Sequence, residues 1–177
     1  QKIEWVRAHM PLLRGLEEEF SQTKPFTGVK VTLSVHLEAK TAYLCKVLAA
    51  GGAQMSITGS NPLSTQDDVA AALADCGFHV YAYHGATPEE YERHIEMSLE
   101  QKPNIIIDDG ADLVSCVHEK RPDLAEEVWG GCEETTSGII RLKAMENQGL
   151  LKFPMAAVND ADCKHLFDNR YGTGQST

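Results

Sequence analysis

The chain has 177 residues, of which 42% are hydrophobic and 24% charged, as is usual for one globular domain. Its 26 acidic and 16 basic residues give a net charge of −10, which argues against a nucleic-acid or anionic-membrane surface, and no apolar run is long enough to span a membrane. Five cysteines without a C-x-x-C pair argue against a zinc ribbon or thioredoxin-type site and fit reduced thiols in the cytoplasm. Because the chain begins at Gln1 without a signal peptide, we expect a trimmed segment of a longer protein.

Hydrophobic periodicity and turn residues predict alternating helices and strands. In chain order we expect a helix over 5–20, a strand over 29–35, a helix over 41–50, a strand over 55–58, a helix opened by a capping box at 64–67 and ended at Gly77, and a strand over 78–83. We then expect a helix opened by 87–90, a strand over 105–107, a Gly-Gly turn before residue 133, a helix over 136–147, a strand over 151–158 and a short helix around Lys164. The first helix has one apolar stripe, made of Trp5, Leu12, Leu13, Leu16 and Phe20.

This alternation predicts an α/β fold: an open, mostly parallel, doubly wound (Rossmann-like) sheet with helices on both faces. We expect residues 1–177 to form one domain. Sheets of this kind bind ligands outside the carboxyl ends of their strands. Polar residues follow several predicted strands, namely His36, Asn61, Ser64, Asp108, Asp109, Asn159 and Asp160, and residues 133–136 lie between the Gly-Gly turn and a helix start. One crevice at this edge is therefore expected to collect them.

Each group of polar residues also has a structural interpretation. The acids of 108–112 can be a base or ribose acceptors, or a helix cap and a turn. Residues 133–138 can bind a sugar or cofactor group, or simply begin a helix with acids near its dipole. Residues 159–169 can tune a lysine for proton transfer, or form a solvated helix. We expect no metal, since Asp160, Asp162, Cys163 and His165 mix hard and soft ligands at no recognised spacing, and we find no phosphate-binding glycine loop.

Five segments together resemble the adenosylhomocysteinase (S-adenosylhomocysteine hydrolase) family, in order and at its spacing: 36–42, 61–67, 108–113, 133–136 and 158–172. The resemblance is to the substrate-binding region of the archaeal and thermophilic-bacterial branch. It implies that the family's Rossmann NAD domain and C-terminal segment lie outside this chain, and that the full-length enzyme is a cytoplasmic homo-oligomer. The isolated chain is accordingly expected to bind nucleoside weakly and not to turn over.

The resemblance implies reversible hydrolysis of S-adenosyl-L-homocysteine through NAD-dependent 3′-oxidation, elimination of homocysteine, water addition and re-reduction. Lys164 would assist deprotonation of the 3′-hydroxyl, and Asp168 and Asn169 would hold Lys164 and the ribose hydroxyls. Asp109 and His36 would share proton transfers near C4′, C5′ and the leaving group. Glu134 would bind ribose and Ser64 would line the nucleoside pocket. NAD would be contacted by Thr135, Thr136, Ser137 and Asn169.

The chain departs from the commoner family pattern at the position of the base. Many members have Thr and Glu where this chain has Glu38 and Lys40, and a lysine only donates hydrogen bonds. Lys40 would suit a 6-oxo purine or a different edge of adenine, or Glu38 would accept from the base instead, so adenine and hypoxanthine both stay open. Ser137 and Thr173 are smaller departures. The alternatives are an S-inosylhomocysteine hydrolase, a stand-alone nucleoside-binding module, and a structural fragment that associates through an exposed face.

Overall fold

The two central strands have the sequences KVTLS (Lys30–Ser34) and IIID (Ile105–Asp108) and pair in parallel, with Val31 opposite Ile105. The computed structural model describes residues 1–172, in which six parallel strands form one sheet of order β3-β2-β1-β4-β5-β6. The strands are β1 (Lys30–Ser34), β2 (Gln54–Thr58), β3 (His79–Tyr81), β4 (Ile105–Asp108), β5 (Gly130–Glu133) and β6 (Met155–Ala157). This arrangement confirms the predicted Rossmann-like α/β fold.

Helices connect the strands and cover the sheet. They are α1 (Lys2–His9), α2 (Pro11–Thr23), α3 (Ala39–Ala50), α4 (Asp67–Asp75), α5 (Pro88–Leu99), α6 (Asp112–Glu119) and α7 (Thr136–Asn147), with 3₁₀ turns at Pro122–Leu124 and Val158–Asp160 and a π-helix at Lys164–Gly172. Side chains alternate across β1: Leu33 joins the core cluster that includes α3, whereas the buried Thr32 hydroxyl donates to Ser98 O in α5. Within residues 1–172, no helix is both long and apolar enough to cross a membrane.

The predicted first helix is in fact two helices. Pro11 occupies the first turn of α2, where its missing N–H costs nothing, and the chain bends at Met10. The single apolar stripe is wrong in part, because Trp5 and Leu12 are 63% and 78% exposed. Leu13, Leu16 and Phe20 do pack against the core.

The structure differs from the sequence prediction at several further points. The Gly-Gly segment before residue 133 is part of β5 instead of a turn, with Gly131 opposite Ile106. Helix α6 was not predicted. The capping box at 64–67 is absent: α4 begins at Asp67, and its N-cap residue Gln66 makes no side-chain cap. The strands predicted over 78–83 and 151–158 are shorter than expected, and Thr173 lies outside the described residues.

Candidate functional site

The strand order reverses between β1 and β4, so the loops after these two strands run in opposite directions and leave a crevice between them. A cleft of about 1120 Å³ opens at this edge. Predicted site residues from three loops line it: His36, Glu38 and Lys40 after β1, Ser64 after β2, and Glu134 after β5. Helix α1 supplies a wall that the sequence did not predict, made of Gln1, Lys2, Trp5 and Val6.

The first polar cluster joins Asp109, His36 and Ser64. Asp109 follows β4 and is only 8% exposed, and its Oδ2 accepts from Ser60 Oγ at 2.8 Å. His36 Nε2 lies 3.5 Å from the same oxygen, and His36 Nδ1 lies 2.5 Å from Ser64 Oγ. The Ser64 hydroxyl also donates to the carbonyl oxygen of Asn61, so an arrangement that uses both bonds places a proton on Nδ1. Nε2 is then the nitrogen that can exchange a proton with Asp109 or with a ligand.

The second polar cluster surrounds Lys164, whose side chain is only 12% exposed. Its ammonium contacts Glu134 Oε1 at 2.6 Å, Asp168 Oδ2 at 2.5 Å and Asn169 Oδ1 at 2.7 Å. Burial lowers the pKa of this ammonium, but the hydrogen bonds and charges of Asp168 and Glu134 outweigh that effect and raise it overall. The Asn169 amide in turn reaches Asn159 Oδ1 at 3.4 Å. Lys164 is therefore a cation whose position is fixed by these three side chains and which can bind a ligand oxygen.

Glu38 and Lys40 stand at the beginning of α3. One oxygen of Glu38 accepts from the backbone N–H groups of Lys40 and Thr41, so this carboxylate is the N-cap of the helix. The cap explains why α3 begins two residues before its predicted start. It also occupies an oxygen that would otherwise be available to a ligand base.

Thr135, Thr136 and Ser137 form the N-terminus of α7, beyond Glu134. Thr135 is the N-cap residue but makes no side-chain cap, and Thr136 and Ser137 are exposed. Exposed hydroxyls at the positive end of a helix suit a polar or anionic group. These three residues are next to the cleft and are not among those that line it.

Sequence reasoning missed several contacts in the site. Ser60 anchors Asp109, and the only clue was its position after a strand. The Tyr91 hydroxyl, which no sequence motif singled out, donates to Asp112 Oδ2 at 2.8 Å. Glu133 was noted only as one acceptor of a motif, yet it is fully buried and binds three backbone N–H groups. No local pattern in the sequence identifies such long-range partners.

These features define a class: a parallel α/β domain with a polar crevice at the strand-order switch point, lined by carboxylates, a histidine and a lysine. A sequence model of the S-adenosyl-L-homocysteine hydrolase family matches residues 1–124 and 120–171. The chain therefore belongs to the S-adenosyl-L-homocysteine hydrolase family.

Curated relatives match over the whole chain. It is 58% identical over 176 residues to the S-inosyl-L-homocysteine hydrolase of Methanocaldococcus jannaschii, covering 99% of this chain and 42% of that protein. It is 56% identical to the adenosylhomocysteinase of Pyrococcus abyssi, covering 100% and 42%, and 53% identical to that of Aquifex aeolicus, covering 100% and 43%. The chain thus spans less than half the length of these relatives.

Proposed function

We propose that residues 1–177 form the substrate-binding domain of a cytoplasmic enzyme that reversibly hydrolyses S-adenosyl-L-homocysteine to adenosine and L-homocysteine. The observation that carries the proposal is the convergence of two clusters on one strand edge: Asp109 with His36, and Lys164 with Glu134 and Asp168. One cluster can exchange protons with a carbon acid or a leaving group, and the other can bind ribose hydroxyls. We further propose that the enzyme is a homo-oligomer in which an NAD domain closes over this edge.

The family is NAD-dependent, and bound NAD supplies oxidation of the ribose 3′-hydroxyl, which makes the neighbouring C4′ proton acidic. The exposed hydroxyls of Thr136 and Ser137 at the N-terminus of α7 fit one polar edge of a dinucleotide. We propose that Thr135, Thr136, Ser137 and Asn169 make this contact.

The chain's own residues then have distinct tasks. The Lys164 ammonium would bind the 3′-oxygen of the ribose and so favour loss of the proton from the 3′-hydroxyl. Asp168, Asn169 and Glu134 would hold the ribose and Lys164. Asp109 would take and return the proton near C4′ or C5′. His36, fixed by Ser64 through Nδ1, would present Nε2 to the sulfur leaving group or to water.

An inosine-type substrate is the second candidate, and Lys40 favours it. Its ammonium can donate to a 6-oxo group but cannot accept from an adenine amino group. The nearby Glu38 is the α3 cap and would have to leave that position, or use its other oxygen, to serve as the acceptor.

A thermal-shift titration with adenosine and with inosine, each with and without NAD, tests the assignment. Nucleoside at about 100 times its dissociation constant should add about 2.7 kcal/mol of stability. We expect Lys40→Met to weaken inosine binding more than adenosine binding, because Lys40 would donate to the 6-oxo group that adenine lacks. Lys102→Met, outside the cleft, is the matched control and should bind both as the wild type does. A folded chain that neither nucleoside stabilises would contradict the proposed function.

A further inference from the structure

Glu133 is a fully buried acid at the end of β5, behind the cleft wall. Its Oε1 accepts from the backbone N–H of Gly110 at 2.8 Å and from that of Thr135 at 3.0 Å. Its Oε2 accepts from the N–H of Ala111 at 3.0 Å. One carboxylate thus binds the loop after β4 and the loop after β5 at the same time.

Two helices begin at this carboxylate. Ala111 is the N-cap residue of α6 and Thr135 is that of α7, and neither helix is capped by its own N-cap side chain. The first N–H groups of a helix need acceptors and carry partial positive charge. Glu133 supplies both helices with an acceptor and a negative charge, so it acts as a cap that the two helices share.

The loop after β4 needs such support because of its backbone. Gly110 has φ 103° and Ala111 has φ 62°, a left-handed conformation that residues with a Cβ seldom adopt. The bonds from their N–H groups to Glu133 hold both residues there. Space for the carboxylate exists because residue 138 is glycine: a Cβ at that position would overlap the Glu133 carboxyl group.

We propose that Glu133 is a positioning residue that joins the Asp109 loop to the Glu134 loop and thereby sets the spacing of the two polar clusters across the cleft. Asp109 directly precedes Gly110, and Glu134 lies between Glu133 and Thr135. Each is therefore next to a residue whose N–H binds the Glu133 carboxylate. This inference rests on the proposed function, in which Asp109 and Glu134 contact the nucleoside.

We call the contacts of Glu133 with the N–H groups of Gly110, Ala111 and Thr135 the clamp. It can be tested by an NMR pH titration of the isotopically labelled chain. Burial raises the pKa of Glu133, and the negative charge of Asp109 raises it further, against the opposing effect of the three backbone bonds. As the pH falls through this pKa, the amide protons of Gly110, Ala111 and Thr135 should move upfield together with one midpoint. The neighbouring carboxyl of Asp108 is followed separately, through the amides of Asp109 and Val114 that donate to it.

The variant Glu133→Gln keeps the size of the side chain but replaces one acceptor oxygen by a donor. We expect the shared amide transition to vanish and the affinity for adenosine and inosine to fall at least tenfold. Glu126→Gln, the same change on the exposed surface, should keep the wild-type spectrum and affinity. Thr32→Val, which loses a buried hydrogen bond away from the cleft, controls for lower stability alone.

The inference would be overturned if folded Glu133→Gln bound the nucleosides as tightly as the wild type does. It would also be overturned if the amide protons of residues 110, 111 and 135 in this variant kept their wild-type pH transition. The titration of the wild-type chain needs no variant, so independent midpoints for the three amides would overturn it even if Glu133→Gln did not fold. A wild-type chain that shows the shared transition but binds neither nucleoside would support the clamp and contradict the proposed function.

Discussion

Lys164 is the residue on which the ribose end of the site depends, because one ammonium is shared by two carboxylates. Glu134 comes from the loop after β5 and Asp168 from the π-helix, so the lysine joins two segments that few other contacts connect. Without it, two negative charges would face each other across a partly buried space. The residue therefore has a structural task as well as its proposed chemical one.

Replacing Lys164 by Met should lower adenosine affinity at least tenfold, which corresponds to about 1.4 kcal/mol. It should destabilise the fold by only about 1 kcal/mol, since Asp168 is more than half exposed and water screens its charge. Because the folded pKa of Lys164 is raised, its stabilising contribution is complete at neutral pH and is lost only as the pH rises through that raised value. Calorimetric titrations and urea unfolding at several pH values measure these effects.

Lys143→Met is the matched control, because Lys143 bridges only Asp160 at the exposed surface. It should leave nucleoside affinity and its alkaline pH dependence unchanged. Equal affinities for Lys164→Met and the wild type would contradict the role assigned to Lys164.

At the scale of elements, α5 begins with a complete capping box. Thr87 Oγ1 accepts from the Glu90 N–H, and the Glu90 carboxylate accepts from the Thr87 N–H at 2.8 Å. Thr87→Ala should therefore cost about 1 kcal/mol of unfolding free energy, measured by urea denaturation. Thr23→Ala, at an exposed helix end, should cost far less. Similar losses for both variants would show that the capping box contributes little.

Elements whose signals are local could be predicted, and elements held by distant partners could not. The bounds of α7 and the start of α5 agree with the sequence prediction, because their turn and cap residues are adjacent in the chain. Strand β5 was missed because its glycines look like a turn. A Cβ at Gly130 would approach Pro154 O, and one at Gly131 would approach Ile106 O, so β5 needs glycine to fit between its neighbours.

Helix α6 and the contacts inside the site could not be predicted either, because they depend on partners that are distant in the chain. The start of α6 is held partly by Glu133, more than twenty residues away, which binds the Ala111 N–H, and partly by Asp108, which accepts from the Val114 N–H. The helix-cap interpretation of the acids of 108–112 was therefore correct in part, and only the contact with Glu133 had no local signal. The positions of His36, Ser64 and Asp109 after strands could be predicted, because parallel strands end at one edge, whereas Glu134 was placed near them only by its position between the glycines and a helix start. Which of them touch, and that Ser60 anchors Asp109, depends on side-chain packing that periodicity does not encode.

At the scale of the whole molecule, acidic charge and two buried acids, Asp108 and Glu133, contribute to the pH dependence of stability. The chain carries a net charge of −10, and Asp108 at the end of β4 is fully buried. Burial, together with the charge of Glu133, raises the pKa of Asp108 to about 8, despite the backbone N–H of Val114 that favours the anion.

Between about pH 4 and 8 the folded state keeps a proton on Asp108 that the unfolded state has released. Its contribution to stability is therefore present at low pH and lost as the pH rises, with a slope of at most about 1.4 kcal/mol per pH unit. Asp108→Asn should flatten the profile of unfolding free energy in this window. Asp123→Asn, an exposed acid whose pKa Arg121 lowers, should not flatten it. If Asp108→Asn showed the same dependence of unfolding free energy on pH as the wild type, the role assigned to Asp108 would be contradicted.

The strand order also has a consequence for how the molecule is assembled. Strands β1 to β3 come from the first 81 residues and β4 to β6 from the remainder, and within the sheet the two sets are hydrogen-bonded to each other where β1 pairs with β4. That pairing joins residues 31 and 105, so it closes a long loop and is expected to form late during folding. The crevice lies on this seam. During synthesis, the ribosome releases β1 to β3 before β4 to β6, so the first half of the sheet can form before the residues that complete the binding site have left the ribosome.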